Sequence, residues 1–549
     1  MTIDLDNLTK EQQAIFNANI DEALTLYNDL SSELLEKSDA LAWLVNNVTS
    51  RNTVFSNLLL DIRYLLLVEE ISKQRLIKTI VTKDPLLAKI LGQKFVVTCN
   101  VTSTKGWIEG CYSKFKRFGF SFLWSLAAMR CKSKERVENI VRTGADIDID
   151  IFRETNSLED RYYGNVLDTI PEDQVHRFFY QVIYLLIPKR KVIDNIANNT
   201  KYNLVYLWDF LRPIDYLWAF RQIFRKFPSK MLHYEMLGYD LTPLLKTVSR
   251  DSNAFYYFLA YLYTRVVAGM KRARIQLHVF VDWFENQSFD KSLYWAMNKY
   301  YPDVPVHAYM GIMADTKVNP ITIATNTELN KSIAPKYVFV CNQAFKHQYE
   351  QSGYKGVVEV APFYRSQKVW NFRRDNRDGA KEFNLFVPLG IFVDEVTYKT
   401  KMILDIMNKI PSDNIRVFIK MHPSSDESMV TSMLNGVKNI ELVKGDFYQH
   451  LAYADAVVAS NSTTTYEALA SGIPALYFID PDNKFCLGKP DGVDDSMWYD
   501  VADAAQFEKS VAAIKRMDAA SLAEKGNAIK AYYFEPVSME LTKKLFLLD

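Results

Sequence analysis

Residues 454–480, ADAVVASNSTTTYEALASGIPALYFID, decide the fold. Two short apolar runs, DAVVAS and PALYFID, flank a stretch long enough for one helix. Asn461 and the hydroxyl residues Ser462, Thr463 and Thr464 stand where that helix begins, Glu467 follows, and Gly472 and Pro474 stand where it must stop. This is a strand, helix, strand unit. Its strands are apolar throughout rather than alternating, the pattern of a parallel sheet covered on both faces.

Outward from this stretch the same alternation recurs. FNLFVPLG (ending at Gly390), IRVFIKMHP and NIELVKG are further buried-strand candidates, separated by helical stretches. The C-terminal part therefore reads as a doubly wound α/β domain over 384–549, with no repeat of solenoid period. Upstream, RSQKVWNFRRDNRDGAKEF reads as a linker over 365–383. Before it, KFVVTCN, YNLVYLWD, IQLHVFVD, VPVHAYM, KYVFVCN and VVEVAP read as strands of a first Rossmann-like lobe over 93–364. Residues 1–92 carry helical periodicity and read as an N-terminal helical region.

Composition limits the function classes. Lys and Arg total 66 against 65 Asp and Glu, so no global field favours nucleic acid. Five scattered cysteines with no CxxC pair argue against a zinc site or disulfide framework and fit a reducing compartment. The polar start MTIDLDNLTKEQQ does not read as a signal peptide, and the apolar run GFSFLWSLAAM is too short to span a bilayer, so a cytoplasmic location is expected. No metal constellation stands out.

Ligands of open parallel sheets bind at the carboxyl ends of the strands. His422, one of only seven histidines, follows RVFIK directly with Lys420 just before it and Pro423 after it, which stiffens the turn. Ser462 and Thr463 follow DAVVAS at the same edge. A helix start rich in hydroxyls serves a phosphate well, and an imidazole donor beside it can neutralise charge on a departing group. The plainer readings remain open: an N-cap for Ser462 or Thr463, a packed or surface ring for His422.

KMHP (420–423) and NSTTTYEALASG (461–472), in this order and about 40 residues apart, resemble the HP and SS/ST motifs of bacterial GT-B glycosyltransferases that use CMP-activated nonulosonic acids: sialyltransferases, polysialyltransferases and Kdo transferases. The resemblance covers about the last third of the chain. It implies two Rossmann-like lobes, an activity that moves a nonulosonic or ulosonic acid to a bacterial surface glycan, no metal or cofactor, and CMP-sugar as co-substrate. His422 would contact the CMP phosphate and Ser462 and Thr463 would bind it, with Lys420, Pro423, Gly390, Asn461, Thr464 and Glu467 completing the donor site. Related turns occur in UDP-sugar transferases and CDP-polyol phosphotransferases. A nucleotide- or glycan-binding component without catalysis is the reading from another class.

Transfer to a hydroxyl calls for a carboxylate in the first lobe. In HVFVDWFENQ, Asp282 ends a strand and Glu285 lies three residues beyond it; Glu285 is the preferred base, and Asp282 the alternative or the residue that orients the turn. Either is also explained as a carboxylate at a helix start. The related family carries an acidic pair followed by glycine here, which this sequence lacks. Asn286, Gln287 and His307 are expected to face the acceptor, a glycan or lipid-linked glycan. The basic-aromatic stretch 112–136 suggests peripheral contact with an anionic membrane face, or else an ordinary core helix.

Overall fold

The computed structural model describes residues 1–39, 41, 46–53, 56–100, 139–145, 160, 162–164, 166–175, 178–182, 203–206, 210–223, 232–250, 254–313, 320–375, 382–390, 393–410, 414–422, 425, 427–434, 437–460, 462–479 and 488–548. The basic-aromatic stretch 112–136, the acidic run 146–154, Pro423 and Asn461 lie outside the described residues.

β1 (Thr2–Asp4), β2 (Thr79–Thr82) and β3 (Val97–Cys99) form a small parallel sheet beside the helices of the N-terminal region, among them α1 (Leu58–Gln74). This differs from the expectation of a purely helical region. It also moves KFVVTCN: its strand pairs with β2 rather than joining the first lobe, because strand propensity does not specify the partner.

The first lobe is built on a seven-stranded parallel sheet. Its strands are β4 (Asn139–Ala145), β5 (Phe178–Val182), β6 (Asn203–Tyr206), then, after the small antiparallel pair β7 (Glu235–Met236) and β8 (Tyr239–Asp240), β9 (Leu277–Trp283), β10 (Val306–Met310), β11 (Tyr337–Val340) and β12 (Val357–Val360). Their order is β12-β11-β10-β9-β4-β5-β6. The second lobe carries β13 (Phe383–Pro388), β14 (Ile415–Lys420), β15 (Ile440–Leu442), β16 (Ala456–Val458), β17 (Ala475–Phe478) and β18 (Trp498–Val501), in the order β15-β14-β13-β16-β17-β18, all parallel. Both orders are the doubly wound one, with the chain reversing direction between its first and fourth strands. β13 is buried along its whole length, as its apolar run requires. Two such lobes in tandem make the GT-B architecture.

The helices that matter for the site are α2 (Ser288–Tyr300), α3 (Asn326–Asn330), α4 (Val393–Lys409), α5 (Thr463–Ala470), α6 (Ala519–Tyr533) and α7 (Met539–Phe546). α5 ends as read: Gly472, at φ 74°, adopts the left-handed conformation, and a Cβ there would stand 2.9 Å from the Leu522 carbonyl of α6.

The lobes are joined by more than the segment expected as a linker. Residues 368–371 of it form a helical turn. The chain then returns: Phe363 donates to the Glu535 carbonyl (2.9 Å), Phe363 stacks on Phe534, and α7 packs against β9 and β10 of the first lobe. Residues 535–548, expected with the second lobe, thus belong spatially to the first.

The N-terminal region is bolted on by a buried ionic triad. Arg51, in the left-handed region at φ 54°, places its guanidinium 2.8 Å from Glu328 Oε2 on α3, and Lys291 of α2 holds Oε1. The three are 1%, 2% and 3% exposed. Arg51 also donates to the carbonyls of Pro320 (3.0 Å) and Ile323 (2.8 Å). Burial alone pushes the Glu328 carboxyl up, but Arg51, Lys291 and the Thr325 N–H together bring it down to about 2.

Arg51→Ala is expected to cost about 3–5 kcal/mol, the usual result of leaving one member of a buried ion pair uncompensated. Urea unfolding measures it, with Lys73→Ala, which removes an exposed pair with Glu70, as a control whose midpoint should stay unchanged. Because Glu328 titrates lower folded than unfolded, its stabilisation is complete above pH 4.5 and is lost as the pH falls toward 2. Glu328→Gln should remove that part of the acid dependence.

Candidate functional site

The chain reversal in the second lobe lies between β13 and β16, and the residues singled out in the sequence flank it. His422 follows β14 on one side and Ser462 follows β16 on the other. Three hydrogen bonds lace the loops together around the end of β13. Leu389 donates to the Lys420 carbonyl (2.9 Å), Ser425 Oγ to the Gly390 carbonyl (3.4 Å), and the buried Lys399 Nζ to the Ala459 carbonyl (2.6 Å).

The hydroxyls of 460–465 divide by role. Thr465 Oγ1 donates to the Ser460 carbonyl (2.7 Å) and accepts from Ser460 N–H (2.8 Å), which pins the turn. Ser462 is the N-cap of α5, its Oγ accepting from Thr464 N–H at 3.5 Å. Thr463 is half-buried, and Thr464 Oγ1 is buried without a hydrogen-bond partner. The free N–H groups at the start of an eight-residue helix and the donors beside them form an anion-binding geometry.

His422 is exposed at this edge. Loss of hydration and then the Lys420 charge hold its imidazole below the usual value, so at neutral pH the neutral ring carries one N–H that a ligand can accept from. Glu467 lies deeper. It accepts from Tyr448 OH (2.9 Å) and is bonded by Ser366 of the segment joining the lobes; burial raises its pKa, and those hydrogen bonds oppose the rise. Gly390 closes the turn after β13, and Glu395 Oε2 would stand 2.8 Å from a Cβ placed there.

In the first lobe the reversal lies between β4 and β9, and β9 runs into the predicted acidic turn. Trp283 Nε1 donates to Glu285 Oε1 (2.8 Å), and the indole stacks on Tyr162 with ring centres 4.0 Å apart. Glu285 is half-buried at the end of this aromatic stack. Asp282, 1% exposed, still belongs to the strand and accepts from Tyr294 OH of α2 at 2.7 Å. Asn286 is buried with φ 56°, donating to the Ile321 carbonyl (2.9 Å), while Gln287 accepts from Asn52 (3.0 Å) and caps α2. His307 is buried against α7: its Nδ1–H donates to the Leu545 carbonyl (2.7 Å) beside Phe339, and burial lowers its pKa.

Three residues of these two edges were not singled out in the sequence. Asp290 collects the N–H groups of Glu285 (3.1 Å) and Gln287 (2.8 Å) on Oδ2, and so shapes the turn that presents Glu285. Burial first, and the Asp282 and Glu285 charges next, raise its pKa well above the carboxylate range. Its signal was a weak one, an acid three positions after a helix start. Lys399 and Glu395 form an i, i+4 pair on α4, a spacing ordinarily found on solvated faces. Among the described residues, no group of three or more His, Cys, Asp and Glu side chains is placed to hold a metal ion. Among them, too, no helix is long and apolar enough to cross a membrane.

No family model matches the sequence, and no curated protein matches it. Solved structures with similar folds include the N-terminal domain of a Candida albicans trehalose-6-phosphate phosphatase, at 10% identity over 76% of this chain and 98% of that chain, TM-score 0.44. Another is a UDP-N-acetylglucosamine 2-epimerase, at 10% identity over 75% of this chain and 95% of that one, TM-score 0.40. A third, the glycosyltransferase SnogD from Streptomyces nogalater, is 12% identical over 53% of this chain and 79% of its own, TM-score 0.34.

The electrostatics of the His422 edge are directly measurable. An NMR titration of the imidazole should give a midpoint below 6.5, and Lys420→Met should move it upward by removing the neighbouring charge. A midpoint at or above 6.5 in the unmodified protein would contradict this description.

Proposed function

We propose that the chain is a metal-independent glycosyltransferase that moves a nonulosonic or ulosonic acid from a CMP-activated donor to a bacterial surface glycan or its lipid-linked precursor. The observation that supports this reading is that β14, which leads into His422, and β16, which leads into the Ser462–Thr464 helix start, stand on the two sides of β13 in the sheet. It is supported by a carboxylate, Glu285, at the matching edge of the first lobe.

In this mechanism the CMP phosphate sits on the N-terminus of α5, taking the hydroxyls of Ser462 and Thr463. The neutral His422 ring donates a hydrogen bond to a phosphate oxygen as the bond to the sugar breaks and negative charge collects on CMP. The Lys420 charge adds to the same field. Glu285 accepts the proton of the acceptor hydroxyl as its oxygen bonds to the sugar carbon. Asp282, bonded by Tyr294 and buried in the strand, orients the turn. Asn286 and Gln287 shape that turn from behind, and the stretch 112–136 is the proposed contact with the membrane face where lipid-linked acceptors lie.

The donor class is tested by thermal shift: CMP should stabilise the protein more than UDP or CDP does. Preferential stabilisation by UDP would favour a UDP-sugar transferase, and nucleotide binding with no transfer or donor hydrolysis would favour a binding component. Ser462→Ala with Thr463→Ala should weaken CMP binding, each lost donor to a charged phosphate being worth about 1.5–3 kcal/mol, as calorimetry would read.

For the chemistry, Glu285→Gln should bind CMP normally and lose transfer by about two to four orders of magnitude. His422→Ala should lower turnover about a hundredfold with a smaller effect on CMP affinity. If Glu285→Gln stays active while Asp282→Asn is dead, the two carboxylates exchange roles.

A further inference from the structure

At the crevice of the second lobe one charged pair has no part in the scheme above. Glu395 is the third residue of α4, the helix that follows the first strand of the sheet. Its Oε1 is held by Lys399, four residues on. Lys399 is buried, and the same ammonium reaches the Ala459 carbonyl (2.6 Å) at the base of the Ser460–Thr465 turn. Glu395 Oε2 lies against Gly390, where even a Cβ would come within 2.8 Å of it. The carboxylate is therefore fixed between the loop that carries His422 and the loop that carries Ser462, with one oxygen taken and the other toward the glycine turn.

An acid in the first turn of a helix complements the helix dipole, but here it also decides what the crevice can accept. In doubly wound folds the start of the first crossover helix, at the chain reversal, is where a pyrophosphate rests on backbone N–H groups. Here that start carries a carboxylate of the wrong sign for a phosphate. Among the described residues the buried cation beside it, Lys399, is already engaged by the carboxylate and a carbonyl. The second helix start, that of α5, has no acid in its first turn. One crevice thus offers one anion-friendly helix start and one that repels anions.

We infer that Glu395, held by Lys399, is a specificity-determining residue that limits the crevice to a donor with a single phosphate and excludes a nucleoside diphosphate. The inference rests on the nucleotide-binding reading proposed above and adds the reason for a monophosphate. It works by repulsion: a phosphate on α5 meets hydroxyls and N–H groups, while a second phosphate displaced toward α4 meets the Glu395 carboxylate. Glu395→Gln retains an oxygen for Lys399 and removes the negative charge that a second phosphate would meet.

The test compares CMP with CDP, which share base and ribose, by calorimetry on the full chain. In the unmodified protein CMP should bind at least tenfold more tightly than CDP. In Glu395→Gln the ratio of the two dissociation constants should fall by at least tenfold, through tighter CDP binding. Glu395→Asp, which keeps the charge, should retain the preference. If the unmodified protein binds CMP and CDP equally, or if Glu395→Gln leaves the ratio unchanged, the exclusion role is overturned while nucleotide binding stands. If neither nucleotide binds, or if binding is indifferent to Ser462→Ala with Thr463→Ala, the underlying reading falls and the role of Glu395 with it.

Discussion

A single carboxylate, Glu328, holds together three parts of the chain that are far apart in sequence. Arg51 reaches it from the N-terminal region and Lys291 from the helix that follows the acidic turn, and Glu328 itself caps a short helix through Thr325. Three charges in a dry interior are costly unless each is met, and here the guanidinium also satisfies two backbone carbonyls. A hydrophobic contact would tolerate sliding; this geometry does not. The consequence is local as well as global. Asn52, next to Arg51, bonds Gln287, and Asn286 bonds the carbonyl of Ile321 beside the same network. The turn that presents Glu285 is therefore held from the N-terminal region as well as from its own lobe.

The two sheet edges differ in their balance of charge. At the first lobe the polar groups are acids, Asp282, Glu285 and Asp290, arranged so that their burial and mutual repulsion keep Asp290 protonated beyond the usual carboxylate range. At the second lobe they are Lys420, a neutral imidazole and a helix start, with one carboxylate, Glu395, held by Lys399; the Leu389, Ser425 and Lys399 hydrogen bonds tie the loops around β13. Such a division suits a reaction between an anionic donor and an uncharged nucleophile: the group that must lose a proton stands by carboxylates, and the group that gains negative charge stands by donors.

Most of the second lobe was legible because its strands are buried on both faces and so appear as unbroken apolar runs. β18, WYDV, was missed because an Asp and a half-exposed Tyr interrupt it. β4, NIVRTGA, and β5, FFYQV, are short or carry Arg, Thr and Gln, and no periodicity separates them from loop. β3 was visible as a strand, yet its sheet was not, since pairing is decided by tertiary contacts. The buried charges Arg51, Lys291 and Lys399 were not legible because such side chains are ordinarily solvated, and only partners brought up by the fold, from 37 to 277 residues away, make their burial tolerable.

The hydroxyl run 460–465 shows where composition stops being informative and register takes over. Its hydroxyls can all donate to a ligand, but the helix start gives Ser462, Thr464 and Thr465 different surroundings. Thr465 folds back on Ser460 with two short bonds, 2.7 and 2.8 Å, so removing it would loosen the turn rather than the ligand. Ser462 caps the Thr464 N–H at 3.5 Å, the outer limit of a hydrogen bond, and a contact that long contributes little. Exchanging it for a charge-assisted bond to a phosphate oxygen therefore loses little and gains much. Thr464 Oγ1, buried with no partner, already bears the desolvation cost that a nearby acceptor would relieve. The short bonds of this stretch thus lie behind the turn and the long one at the cap, so its base is fixed more firmly than its start.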